Sequence, residues 1–338
     1  MKQSGMKKQT IQTIAKIFFS AVVLYFLFRK CDWPSLFAAL GHADVGLVLL
    51  AFLAVQGTHV MAAARWGLLC RKAKFLPLFK LVYVSRLYST VLPGQLFGEA
   101  AKVVYISQSN RDITPEEATA SVVVDKIVGL VGLLIVGICG ALLSTSALNR
   151  SITFWFAVCA GILTLCVALP ALPVFSRLIH RLLDAIKRRI PKLSGLVERL
   201  RLFLTSWQAY LKTPLTLLLS VLLGCAFQFL STVGMMLLGR AVGIPVALSD
   251  WCWIFAVLSI ALLLPVSFAG LGVREATLVG FLGALGVAKE LVLSASLLSL
   301  FIQVLDSLIG GVLVLFDPAL KRKKPIPAET GATNMEQV

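Results

Sequence analysis

Leu92-Pro93-Gly94-Gln95-Leu96-Phe97-Gly98-Glu99-Ala100-Ala101-Lys102 breaks one apolar stretch of the chain. An altered copy, Leu264-Pro265-Val266-Ser267-Phe268-Ala269-Gly270-Leu271-Gly272-Val273-Arg274-Glu275, breaks another. Each copy has a short apolar run, a Leu-Pro break and a glycine-bearing turn. A Glu with a basic neighbour then opens a second apolar run. Proline removes a backbone donor and stops a helix, and glycine permits the turn that follows. Pro93, Gly94 and Gly98 mark the first break; Pro265, Gly270 and Gly272 mark the second. Broken helices at membrane depth are tolerated only where protein buries them or a wet cavity adjoins them. Interrupted segments in corresponding halves of a chain point to a transporter's binding site.

The chain around these breaks is membrane from end to end. Of 338 residues, 58% are hydrophobic and 14% charged, and mean hydropathy is +0.90, whereas soluble domains are about 45–50% apolar and about 25% charged. The net charge of +16 is read as basic cytoplasmic loops rather than nucleic-acid binding, because the basic residues flank apolar spans. Seven cysteines are scattered singly, and His42, His59 and His180 are far apart, so no disulfide, metal site or cofactor is expected. No H-E-x-x-H, G-x-S-x-G or P-loop occurs, so no enzyme activity is expected.

Full spans are predicted at Ile14–Phe28 with its flanks, Val45–Cys70, Ala118–Leu143, Ile152–Phe175, Leu215–Leu238 and Leu291–Phe316. His59 and Arg65 lie near the inner end of the second span, where a long Arg can snorkel. Thr114-Pro115-Glu116-Glu117 reads as a helix start. Between the spans, Leu78–Val91 and Gln95–Ser107 are each about 20 Å long at 1.5 Å per residue, short of a hydrocarbon core of about 30 Å. Trp251–Leu264 and Leu271–Gly286 repeat the pattern. The expected fold is all-α and polytopic: six full transmembrane helices plus two re-entrant helical hairpins, with both termini cytoplasmic. Treating each hairpin as one crossing would put the basic linker outside, against the positive-inside rule. Span, hairpin and span then form inverted repeats at 45–143 and 215–316. Residues 176–212 carry nine Lys and Arg on an amphipathic pattern broken at Pro191, an interfacial helix suited to anionic inner-leaflet phospholipid. Residues 317–338 form a basic, then disordered, tail.

Charges at depth cost about 2.5–3.5 kcal/mol each on insertion scales, so they have partners or a purpose. The candidates are Arg86, Glu99, Lys102, Asp125, Lys126, Arg274, Glu275 and Asp306, with Gln303 one turn before Asp306. Glu99 and Lys102 are three apart, on one helical face. Glu99 and Glu275 open half-helices, where a carboxylate caps the helix or holds an internal ion pair. The other reading has the hairpin tips meeting near the midplane. Basic residues there neutralise a phosphate, and the Glu residues relay protons or exclude wrong substrates. Asp125 and Asp306 are expected to pair with basic residues of the hairpins.

At these positions the chain resembles the flippase-like family that includes the transmembrane region of lysylphosphatidylglycerol synthases. The resemblance rests on Leu92-Pro93-Gly94…Gly98-Glu99, Val124-Asp125-Lys126…Gly129-Leu130 and Leu264-Pro265…Gly270-Leu271-Gly272-Val273-Arg274-Glu275, and spans about residues 12–316. It implies movement of polar lipids (aminoacylated phospholipids, polyprenyl-linked sugars or hopanoids) between leaflets of a bacterial-type inner membrane. Asp125-Lys126 stands where the family pattern has Glu-Arg. No aminoacyl-transfer domain follows the membrane region in this sequence, so synthesis of lysyl-lipid is not expected. Two other functions remain open: an accessory subunit of a lipid-linked glycosyl or headgroup transferase, and a small-solute secondary transporter.

Overall fold

The computed structural model describes residues 25, 32–91, 96–110, 112–145, 156, 158–159, 161, 173–189, 194–211, 213–263, 267 and 270–317. Within them the chain is helical: α1 (Trp33–Gly41), α2 (Val45–Leu69), α3 (Phe75–Val91), α4 (Leu96–Ser109), α5 (Pro115–Leu143), α6 (Pro173–Arg189), α7 (Ser194–Leu211), α8 (Pro214–Ala241), α9 (Leu248–Leu263), α10 (Val273–Ala284) and α11 (Lys289–Phe316). Four of these, α2, α5, α8 and α11, are long and apolar enough to cross a membrane. The spans expected at Ile14–Phe28 and Ile152–Phe175, the breaks at Pro93, Gly94 and Pro265, and the tail beyond Asp317 lie outside the described residues.

Local chemistry sets the helix boundaries. Thr114 caps α5: its hydroxyl accepts the Glu117 N–H at 3.2 Å, and Glu117 Oε2 accepts the Thr114 N–H at 3.3 Å. Pro115 takes the first helical position, where no intrahelical donor is lost. Asp44 caps α2 through the Leu47 N–H at 3.2 Å. The short helices fall on either side of the two breaks. α3 and α4 have 17 and 14 residues, and α9 and α10 have 16 and 12. Even the longest is about 25 Å at 1.5 Å per residue. In the second break Gly270 and Gly272 have φ of 78° and 83°, the left-handed region that glycine enters without a Cβ clash.

The packing has a two-fold character. Exchanging α2 with α8, α3 with α9, α4 with α10 and α5 with α11 maps most helix contacts onto other contacts: α5–α9 onto α11–α3, α3–α4 onto α9–α10, α4–α5 onto α10–α11. The matched seams are built from small residues, which let apolar helices approach where lipid supplies no hydrophobic drive. A Cβ on Gly140 of α5 would meet Cys252 Cβ of α9 at 2.3 Å, and one on Gly310 of α11 would meet the Tyr83 carbonyl of α3 at 2.4 Å. One relation breaks the symmetry. α5 packs on α8, with Gly132 so near that its Cβ would lie 2.4 Å from the Gly224 carbonyl carbon, whereas the equivalent pair, α2 and α11, has no comparable contact. Polar side chains bridge that gap instead.

Polarity is inverted relative to a soluble protein. Leu49, Leu53, Leu218, Leu222, Phe301, Leu308 and Val312 are exposed, while His59, Arg65, Lys102, Asp125, Arg274, Glu275 and Asp306 are buried. α6 and α7 pair through Arg201 with Asp184 and through Lys187 with Glu198 at 3.4 Å. Leu182, Ile186 and Leu200 remain exposed beside the basic residues, the amphipathic character predicted for this linker.

Gly132→Val is expected to lower stability by about 1–3 kcal/mol or more, because overpacking forces the α5 and α8 backbones apart. Gly283→Ala, in open space, should change it little. Thermal unfolding in detergent reads both, and wild-type behaviour of Gly132→Val would contradict the α5–α8 approach.

Candidate functional site

A cavity of ≈ 200 Å³ lies among the long helices, with α3, α4 and α10 contributing to its wall. α2 contributes His59 and Arg65, α3 Ser85, Arg86, Ser89 and Thr90, and α4 Glu99 and Lys102. α5 adds Asp125 and Lys126, the second break Ser267 and Gly270, and α10 and α11 Arg274 and Gln303. Five cations therefore face two carboxylates, with His59 neutral in the formal count: a surplus of three positive charges in a space walled by apolar helices.

The close approach of α3 and α4 starts at Gly98, where a Cβ would lie 2.1 Å from Ser89 Oγ and 2.4 Å from the Ser85 carbonyl. That contact brings Glu99 and Lys102 to the cavity wall. Glu99 lies between two amines, Lys102 Nζ at 3.1 Å and Lys126 Nζ at 2.8 Å. Lys102 Nζ is also 5.5 Å from the centroid of the Trp66 ring, a cation–π contact that helps to hold a buried ammonium. Of the two sequence readings for Glu99, its partners are those of an internal ion pair.

Across the cavity, Arg65 Nε and Nη2 donate to the two Asp125 oxygens at 2.6 and 3.1 Å. The guanidinium carbon is 5.4 Å from the Phe227 ring centroid, and Nη1 is buried without a hydrogen-bond partner. Two expectations are corrected here. Arg65 does not snorkel out of the second span; it is 6% exposed and bound bidentately, the geometry in which guanidinium and carboxylate match. Asp125 pairs with this span residue rather than with a basic residue of a hairpin. Lys126, its chain neighbour, turns to Glu99 instead.

Arg274 opens α10 and is 5% exposed. Its Nη2 donates to Gln303 Oε1 at 2.5 Å, Gln303 Nε2 donates to Thr90 Oγ1 at 3.3 Å, and the Ser307 hydroxyl lies 2.9 Å from the same Thr90 oxygen. α3 and α10 are thus joined through α11 at the cavity wall. Glu275 takes the other direction. Its Oε2 accepts the Gly272 N–H at 2.6 Å and its Oε1 accepts the Ser296 hydroxyl at 2.7 Å. It caps α10 and ties it to α11, and it is not among the cavity-lining residues.

Asp306 also departs from its expected partner. It accepts from Gln56 Nε2 at 2.8 Å and lies 3.0 Å from His59 Nε2, so α2 and α11 meet through side chains rather than a packed seam. The Tyr83 hydroxyl donates in turn to Gln56 Oε1. A second cavity of ≈ 180 Å³ adjoins the first and shares Arg86, Leu262, Arg274 and Gln303 with it; Asp306 lines this one. Most of its remaining wall is apolar, including Val55, Met235, Leu238, Phe255, Leu258 and Ile302.

Sequence reasoning left His59, Arg65 and Gln56 out of the candidate site. Their signal was present: three polar residues within ten positions of one apolar span need partners elsewhere at depth.

A family model described as lysylphosphatidylglycerol synthase TM region matches residues 13–310 of the chain. No curated protein matches it.

Proposed function

We propose that this chain, which belongs to the lysylphosphatidylglycerol synthase TM region family, carries an anionic or zwitterionic polar lipid between membrane leaflets. The observation that carries the reading is the cation-rich cavity buried among helices that are apolar outside. A charged headgroup cannot cross about 30 Å of hydrocarbon unaided, and five cations against two carboxylates supply a polar station on the way. The adjoining apolar cavity favours a lipid over a small solute, because its wall shares Arg86, Arg274 and Gln303 with the polar one. A phosphate on Arg274 would have room beside it for the start of a hydrocarbon chain.

The short pairs α3–α4 and α9–α10 are read as re-entrant hairpins entering from opposite sides, with six full spans in all and both termini cytoplasmic in an inner membrane. The two-fold exchange of helix contacts supports inverted repeats of the kind that place a site at the bilayer midplane. Arg86, Lys102, Lys126 and Arg274 would bind the phosphate. Glu99 and Asp125 set the charge of the site, and Glu275 and Asp306 hold its frame. The basic α6–α7 linker would rest on anionic phospholipid of the cytoplasmic leaflet, with Arg177, Arg181, Arg188 and Arg189 on its exposed surface.

Leaflet-resolved lipid analysis of cells with and without the gene should show one polar lipid accumulating on a single leaflet when the protein is missing. Purified protein in liposomes should equilibrate that lipid. A protein that carries a water-soluble solute yet moves no polar lipid under any gradient would overturn the reading.

A further inference from the structure

His59 is fully buried and lines the cavity, yet the binding scheme above leaves it without a role. Its Nε2 lies 3.0 Å from Asp306 Oδ2. An ionised carboxylate only accepts, so Nε2 carries the hydrogen and donates it. That fixes the tautomer: in the neutral ring Nδ1 bears a lone pair, and this atom is buried without a hydrogen-bond partner. Asp306 is itself held by Gln56, and Gln56 by Tyr83, so the ring cannot easily turn to hide that lone pair.

The charged and titratable groups facing the ring come from each neighbouring element. Asp306 approaches from α11, Tyr83 and Arg86 from α3, and Lys102 from α4. The Tyr83 ring stands edge-on at 4.8 Å between centroids. Arg274 of α10, and the Arg65–Asp125 pair of α2 and α5, border the same cavity, and α8 adds only the apolar Phe227. Because His59 lines the cavity, an anion entering this space meets the cations favourably and a neutral imidazole with an unpartnered Nδ1 lone pair unfavourably. A proton on Nδ1 removes the conflict: the ring becomes a second donor to the anion, and Asp306 balances its charge. Glu99 and Glu275 are poorer carriers, since Glu99 is held by two amines and Glu275 by two hydrogen bonds.

Resting on the anion-binding reading of the cavity, we propose that His59 takes up one proton from water at Nδ1 when an anionic headgroup enters, so that headgroup and proton cross together. The proton returns to water when the headgroup leaves. Asp306 is the positioning group, acting through the ring's other nitrogen.

The test is calorimetric titration of the full chain in detergent with short-chain phosphatidylglycerol and, separately, with free glycerophosphoglycerol. Both are phosphodiesters that do not titrate near neutrality, so protons taken up belong to the protein. Repeating the titration in buffers of different ionisation enthalpy counts them. About one proton per ligand is expected, with Kd weakening as pH rises by up to tenfold per pH unit somewhere between about pH 5 and 8, where an imidazole loses its charge. His59→Gln should bind more weakly, with no proton uptake and a flat pH profile. Asp306→Asn should reduce uptake in the same direction. Binding by the wild-type protein without uptake overturns the proposal whether or not the variants fold, and so does uptake that persists in His59→Gln; both leave the lipid reading standing. Binding of the free phosphodiester alone overturns the lipid reading, while proton coupling is still decided by the proton count. Binding of neither ligand overturns both.

Discussion

Arg274→Ala should lose lipid transport by about 100-fold or more while the protein still folds. A charge-assisted hydrogen bond is worth about 1.5–3 kcal/mol, and truncating one partner of a desolvated charge pair costs about 2–5 kcal/mol. At 1.4 kcal/mol per decade, 3 kcal/mol is roughly two decades. Arg274 stands in that regime because it is buried, opens α10 beside the break, and is aligned by Gln303. Arg274→Lys keeps the charge but not the planar fork that matches phosphate oxygens. It should therefore fall between the two, with a loss on the order of tenfold. Gln303→Leu leaves the guanidinium without its guide and should weaken transport less than Arg274→Ala. Leaflet-exchange rates in liposomes, compared at equal thermal stability, check all three. Transport by Arg274→Ala at the wild-type rate would remove Arg274 from the site.

The second large effect falls on stability. Asp125→Ala leaves the Arg65 guanidinium buried without its carboxylate, and breaking a buried pair from one side costs about 3–5 kcal/mol. The loss should be near the upper end, because both partners are almost wholly buried and the contact is bidentate. Arg65→Ala strands Asp125 in the same way. The double replacement Arg65→Met with Asp125→Leu removes both charges, and apolar substitutes for buried pairs are often neutral or better. It should therefore recover most of the stability lost in either single variant while lowering anion affinity, since Arg65 lines the cavity. Thermal unfolding of the four proteins separates the cases. A double variant less stable than both singles would mean that the pair supports more than itself.

What the sequence by itself determined was local. The excess of apolar residues required membrane helices, and the two Pro/Gly interruptions required short ones: α3, α4, α9 and α10 lie beside them, about a turn or less from their predicted ends. Thr114 to Glu117 wrote its own cap, and Glu99 with Lys102, three apart on one helix, formed the expected pair. These contacts are set by helical geometry, which sequence spacing specifies directly. The long-range partners were decided by tertiary structure. A charge at depth must find a counter-charge, but several were available to Arg65, Asp125, Lys126 and Asp306, and spacing cannot rank them. The pairs that form, Arg65–Asp125, Lys126–Glu99 and His59–Asp306, depend on which helix backbones approach. α5 presses against α8 because Gly132 and Gly224 have no side chains to hold them apart, whereas α2 and α11 do not pack in this way and are joined through Asp306. Glu275 could have faced the cavity or the start of its own helix. The left-handed turn at Gly272 presents an N–H to Glu275, and Ser296 on α11 supplies a second donor, so the carboxylate turns inward and Arg274 alone of the two faces the cavity.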